Sequence, residues 1–372
     1  MALSNKTDPA VAERKLAAWL ATKLAEAKDV RVSGVSVPSS SGLSYETILF
    51  DASWRTSAGS EQRERLVARV QPTGPTVFPD RTLASEYRVM KALGERTSVP
   101  VPRVRWIDDD PSVLGAPFAV MQRVDGRVPA DDPPFTATGW VRELAPDSQA
   151  RVVENGLRAL AEIHAVDWRS LDLGFLARPE LGESPFDQQF EWWKRCFSWA
   201  AEGEANPTVE AAFRWIAEHR PRDTEPVVLN WGDSRIGNVI FADDASVAAI
   251  LDWEMANLGS PELDLGWWLF LLRHHTEGIG IPALPGFPTR DQMIARYEQL
   301  SGFAVRRIDF YEAFAALRLS ILMHRAGNLM IAAGLLPPGA PMKLSNPASQ
   351  LLAKLLGLPA PTGTVQSFIG NR

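Results

Sequence analysis

The sequence predicts an α+β chain of two lobes. A small lobe of mostly antiparallel sheet spans residues 1–124, and a large, mainly helical lobe spans residues 125–372. Strand-like alternation of β-branched and aromatic residues crowds the first third of the chain. Apolar residues at helical spacing dominate from about Ala150 onward. Between them, Ala130–Pro134 is rich in Asp and Pro and reads as a connecting loop. A length of 372 residues suits two or three units at roughly 100–200 residues each.

The elements follow in order. Asp8-Pro9 is a cap followed by proline at the first helical position, and Leu16, Trp19, Leu20 and Leu24 then recur on one face. Val30–Val37 alternates with one slip at Gly34, which predicts a strand with a bulge. A small-polar loop, Pro38 to Gly42, comes next. Tyr45–Trp54 and Arg63–Val70 read as a hairpin whose polar connection holds Gly59. Thr82–Leu93 is helical, and Val99-Pro100-Val101-Pro102 ends it. Arg103–Ile107 and Pro117–Val124 complete the sheet. Ala150–His219 is helical and rich in aromatic residues. Three short strands follow, at Val227–Leu229, Val239–Phe241 and Val247–Leu251. The rest is helical apart from a Pro/Gly stretch at Ile281–Pro288 and a loose tail at Pro359–Arg372.

Composition narrows the function. Cys196 is the one cysteine, which excludes an intramolecular disulfide and a Cys-based zinc site. A net charge of −6 argues against a nucleic-acid binder that relies on bulk positive charge. The longest apolar run, Leu265–Leu272, is far short of the ~20 residues a membrane span needs. Charged residues interrupt the N-terminal helix, so it lacks a secretory apolar core. The expectation is a cytoplasmic protein without a membrane anchor, a nucleic-acid partner or an obligatory protein partner.

The chemistry concentrates in Val227–Phe241. An apolar strand leads to Trp231-Gly232-Asp233, Asn238 follows five residues after Asp233, and a second strand starts at once. Ile250-Leu251-Asp252-Trp253 then places another Asp at a strand end. Phosphoryl transfer from a nucleotide uses such a set. One carboxylate orients or accepts the proton of the attacking hydroxyl, while an amide oxygen and a second carboxylate hold Mg²⁺.

These residues resemble the aminoglycoside phosphotransferase family of the protein-kinase-like fold, and most closely the kinase-like branch also found fused to acyl-CoA dehydrogenases. That family shows His-Gly-Asp, four residues, Asn, and later a strand ending in Asp-Trp. The departure is Trp231, where the family usually has His. The likeness runs in order from Val37 to Phe270 and includes Gly259-Ser260-Pro261-Glu262-Leu263-Asp264-Leu265. It implies ATP (or GTP) and Mg²⁺, with Asp233 as catalytic base, Asn238 and Asp252 as metal ligands, and Asp264 as a brace for the loop. In the first lobe it implies a phosphate-covering loop with Ser41, Gly42 and Ser44. It also implies Arg69, paired with Glu86, on the nucleotide phosphates, and a hinge strand with Met121 and Val124 beside the base. The acceptor would be a small-molecule hydroxyl. The second lobe is rich in Trp and Leu, which leans toward a less polar acceptor than a polycation.

Other readings stay open at this level. Ser41-Gly42 can be an ordinary turn, and Arg235 either a phosphate contact or an ion pair. His164 reads as a core histidine. His274 and His275, being adjacent, point to different faces of a helix. A non-catalytic nucleotide-binding module of the same fold is the main alternative function. A metal-dependent hydrolase is a weaker one, since no histidine lies near these aspartates in sequence.

Overall fold

A computed structural model describes residues 7–38, 45–80, 83–221 and 226–365. The chain divides into two compact units, Met1–Arg96 with Val101–Val124, and Thr97–Pro100 with Asp125–Arg372.

The first unit begins with helix α1 (Pro9–Lys23), whose N-cap Asp8 accepts from the backbone N–H groups of Ala10 and Val11. Strands β1 (Lys28–Ser36), β2 (Glu46–Arg55) and β3 (Glu61–Val70) come next. Then follow helix α2 (Leu83–Arg96), strand β4 (Val104–Asp108), the short helix α3 (Pro111–Leu114) and strand β5 (Phe118–Gln122). The strands form one antiparallel sheet in the order β1-β2-β3-β5-β4. The expected irregularity of β1 is present as two register shifts against β2. Alternation decides the faces. Ile48, Phe50, Ala52 and Trp54 of β2, with Leu66, Ala68 and Val70 of β3, join Leu16, Trp19 and Leu20 of α1 in one buried cluster. The Trp19 indole N–H donates to Asp108 at 2.7 Å, and Lys23 pairs with the same carboxylate at 2.8 Å. Burial raises the Asp108 pKa, but these partners outweigh it and hold the group at about 2.

The second unit opens with helices α4 (Trp140–Glu143), α5 (Pro146–His164), α6 (Pro185–Ala201) and α7 (Pro207–His219). Four short strands follow: β6 (Val228–Asn230), β7 (Val239–Phe241), β8 (Val247–Ile250) and β9 (Asn257–Gly259). Helices α8 (Glu262–His274), α9 (Arg290–Ser301), α10 (Ile308–Ala332) and α11 (Pro347–Leu356) complete it. Strand β9 is absent from the sequence reading because three residues carry no alternation. It exists only as the antiparallel partner of β6. Helix α8 is apolar on all sides and buries all but Arg273 of its residues, the pattern of a helix enclosed by others. Aromatic residues fill much of this core, with Trp193, Trp231, Trp253, Trp267 and Trp268 fully buried. No helix among the described residues is long and apolar enough to cross a membrane.

Candidate active site

The loop 231–238 leaves β6 and enters β7. Gly232 starts it with φ of 93°, a left-handed value that glycine adopts without strain. Any side chain there would also collide with the Met255 carbonyl, since a Cβ would lie 2.0 Å from that oxygen. The Gly232 carbonyl accepts from Arg318 Nη2 of α10 at 2.8 Å.

Asp264, in the first turn of α8, is fully buried beneath this loop. Its carboxylate accepts the backbone N–H of Trp231 at 2.6 Å and that of Gly232 at 2.8 Å. Its backbone carbonyl accepts the Ser234 hydroxyl at 2.8 Å. His164 Nε2 lies 3.2 Å from Asp264 Oδ2, and His164 Nδ1 lies 2.5 Å from the Tyr297 hydroxyl. Burial pushes the Tyr297 phenol above its usual range, so it stays a donor. His164 is thus a core histidine with both ring nitrogens engaged.

Asp233 is held by three side chains. Trp267 Nε1 donates to Oδ1 at 2.7 Å, and Arg235 Nε and Asn238 Nδ2 donate to Oδ2 at 3.0 and 2.6 Å. Asn238 Nδ2 also reaches the Asp233 carbonyl at 3.1 Å, which turns its own Oδ1 away from that contact. The β7–β8 register pairs Val239 with Ile250, and the Leu251 N–H donates to the Asn238 carbonyl at 2.8 Å. Asn238 and Asp252 are therefore brought to the same end of one hairpin. Trp231 takes part here, because its indole N–H donates to the Leu251 carbonyl at 2.8 Å. A tryptophan in place of the family's usual histidine thus secures the residue just before Asp252. Asp252 itself has φ of 61°, a conformation uncommon outside glycine.

Asn238 and Asp252 supply hard oxygen donors, one neutral and one anionic, which suits Mg²⁺. Among the described residues no group of three or more His, Cys, Asp or Glu side chains is placed to hold a metal ion. A pair of protein ligands completed by phosphates and water is the usual arrangement for Mg²⁺.

A partly buried ionic chain extends from Asp233. Arg235 Nη1 donates to Asp131 Oδ2, and His275 Nε2 lies 3.5 Å from Asp131 Oδ1. Burial opposes the charge on Arg235, but Asp131 and Asp233 overcome it and raise its pKa further. Burial likewise works against the Asp131 carboxylate, and Arg235 and His275 outweigh it and lower its pKa. His274 and His275 are both buried at the end of α8. Desolvation, reinforced by His275, lowers the His274 pKa from 6.5 to about 3. The unfolded chain takes up a proton on this side chain as pH falls through 6.5, and the native chain does not. The group therefore removes stability progressively as pH falls below 6.5. His274→Leu is expected to flatten the acid limb, so that the urea midpoint falls less between pH 7 and pH 5 than in wild type. An equal fall in both proteins would contradict the assignment.

The first-lobe candidates lie in the first unit. Arg69 of β3 lies on the sheet face opposite the cluster that covers α1, since its neighbours Ala68 and Val70 belong to that cluster. It donates from Nη1 to Thr47 at 2.9 Å and stacks over Tyr45 at 5.2 Å. The register pairs Arg69 with Ala119 and Val67 with Met121, so Met121 shares the Arg69 face. Glu86 is buried on α2. Val124 lies beyond the end of β5 and is half-buried. Ser41, Gly42 and Ser44 lie outside the described residues.

Residues 47–311 match the model of the phosphotransferase enzyme family. The chain belongs to this family. The probable acyl-CoA dehydrogenase IBR3 of Arabidopsis thaliana is 28% identical over 272 residues, covering 68% of this chain and 32% of that protein. Acyl-CoA dehydrogenase family member 11 of Gallus gallus is 34% identical over 202 residues, covering 54% of this chain and 24% of that protein. The chain thus spans a third or less of these relatives' length. A structure from Ralstonia eutropha JMP134, assigned to the aminoglycoside phosphotransferases, superposes with a TM-score of 0.66 at 25% identity, covering 92% of this chain and 95% of that one. The fold is the α+β, protein-kinase-like fold expected from the sequence, and both the phosphotransferase and the dehydrogenase-linked resemblances are borne out.

Several residues of this candidate site escape sequence reading. Asp131 meets Arg235 across 104 positions. Trp267 meets Asp233 across 34, and Arg318 meets Gly232 across 86. The one local signal is that Trp267 stands three residues after Asp264, on the same side of the helix.

Proposed function

We propose that this phosphotransferase-family protein transfers the γ-phosphate of ATP (or GTP) to a hydroxyl of a small molecule. The observation that carries the reading is the Asp233 carboxylate, oriented by Trp267, Arg235 and Asn238 next to the Asn238–Asp252 hairpin end. In this reading Asp233 aligns the acceptor hydroxyl and takes its proton. Asn238 and Asp252 would hold Mg²⁺, which when bound neutralises charge on the triphosphate. Asp264 keeps the loop in place through its two backbone N–H bonds. In the first lobe, residues 1–124, Arg69 would grip the nucleotide phosphates with Glu86 as its partner. Ser41, Gly42 and Ser44 would cover the phosphates, and Met121 and Val124 would line the base. An arginine suits the phosphate role because its planar fork can bind two oxygens at once. The second lobe, residues 125–372, would supply the acceptor pocket. We place the reaction in the cytoplasm.

The test is a thermal-shift titration with ATP and GTP, with and without Mg²⁺, on wild type and Asp252→Ala. A nucleotide at 100 times its dissociation constant adds about 2.7 kcal/mol of stability. The expected result is a Mg²⁺-dependent shift in wild type that is lost in Asp252→Ala. No shift with either nucleotide would overturn the reading. A shift without turnover across a panel of hydroxyl acceptors would favour a nucleotide-binding module.

A further inference from the structure

Arginine paired with a carboxylate tends to close on both oxygens through two parallel N–H bonds. Arg235 does not close on Asp233 in this way. It touches only Asp233 Oδ2, through Nε at 3.0 Å, while its Nη1 is turned to Asp131. The second oxygen of Asp233 is left to the Trp267 indole at 2.7 Å. Gly237 makes room for this divided grip. A Cβ at Gly237 would lie 2.5 Å from Arg235 Nη1 and 2.8 Å from Asp131 Oδ1. The Asp131 side chain is mostly shielded, and His275 Nε2 stands 3.5 Å from its other oxygen.

We infer that Asp131 is a positioning residue, which holds Arg235 to a one-point contact with Asp233 and so leaves Asp233 Oδ1, which accepts the Trp267 indole N–H, able to take an acceptor hydroxyl on its other lone pair. This inference rests on the reading of Asp233 as the base. Without Asp131, the guanidinium keeps its charge and loses its second partner. Its nearest remaining carboxylate is Asp233, and with Nη1 unanchored the guanidinium plane can turn so that Nε and Nη2 close on both Asp233 oxygens, covering the oxygen that the hydroxyl needs. Arg235 alone among the residues holding Asp233 can do this, since Trp267 and Asn238 are neutral donors. Removing Arg235 as well should therefore relieve the defect that removing Asp131 creates.

The experiment compares wild type, Asp131→Ala, Arg235→Ala and the double variant by steady-state kinetics and by the Trp267 indole N–H resonance. Trp267→Phe identifies that resonance among the tryptophans. Asp131→Ala is expected to lower kcat about 100-fold, the scale of a misplaced reacting group, with KM for the nucleotide unchanged. Its Trp267 resonance should shift, because the acceptor of that hydrogen bond is then shared. The double variant should regain activity above Asp131→Ala and return the resonance toward wild type. A double variant slower than both single ones, or an unmoved resonance in Asp131→Ala, would overturn the inference. If Asp131→Ala does not fold, Gly237→Ala disturbs the same bridge with Asp131 retained. It should shift the Trp267 resonance in the same direction, and an unmoved resonance would again overturn the inference. A resonance that behaves as expected in a protein with no phosphoryl transfer to any acceptor would uphold the positioning and reject Asp233 as the base.

Discussion

Asp233→Asn is expected to lower kcat by about 10²- to 10⁴-fold, the usual effect of losing a general base, while nucleotide affinity stays unchanged. The geometry favours a clean result. Asn keeps one acceptor oxygen, which can face Arg235 Nε and Asn238 Nδ2, the donors that meet Oδ2 in the wild type. The new amide group then faces the Trp267 indole, and one hydrogen bond is lost. The loop retains its attachments through Asp264 and Arg318, so the fold should persist. Initial-rate kinetics with a responsive acceptor, together with calorimetric titration of Mg²⁺-nucleotide, separate the two quantities. Full turnover in Asp233→Asn would remove Asp233 from the reaction, and a loss of nucleotide affinity without a loss of kcat would reassign it to binding.

Asp264→Asn is expected to destabilise the protein by about 2–4 kcal/mol, because buried donors lose a charged acceptor. The wild-type carboxylate serves Trp231 N–H and His164 Nε2 through Oδ2, and Gly232 N–H through Oδ1. Asn has a single acceptor oxygen. Whichever way it turns, an NH₂ group meets a backbone N–H donor beside the buried position 264. The Gly232 carbonyl remains tied to Arg318, so the loop would be displaced at its start rather than released. Urea unfolding measures the stability change, and kcat should fall with it because Asp233 is the next residue. An unchanged urea midpoint would show that the two backbone N–H bonds contribute little.

Both effects depend on how far the site is written into local sequence. The loop residues were legible because they are close together. A strand, a Gly, an Asp, an Asn five residues on and a second strand are constrained by chain connectivity, and the β7–β8 hairpin then brings Asp252 beside Asn238. The sheet of the first unit was legible for a similar reason, since alternation along β2 and β3 marks the buried face directly. Helix α1 was legible from Asp8-Pro9, where the cap forms as the two residues suggest. Strand β9 was not, because three residues hold no period and its existence depends on β6.

The sequence by itself determined the α+β, kinase-like class, the family, and the candidate set Asp233, Asn238 and Asp252. Short-range rules suffice for these, because spacing along a strand or loop sets which groups lie together. Only the tertiary structure decided what holds that set in place. It put Trp267 and Arg235 on separate oxygens of Asp233, and Asp131 on the far side of Arg235. It also gave Trp231 a partner in the Leu251 carbonyl, where the sequence alone showed a departure from the family. Contacts such as Asp131–Arg235 join residues 104 positions apart, and no local preference of either residue specifies them. They follow from the packing of the second unit, where burial makes each charge depend on the partner placed beside it.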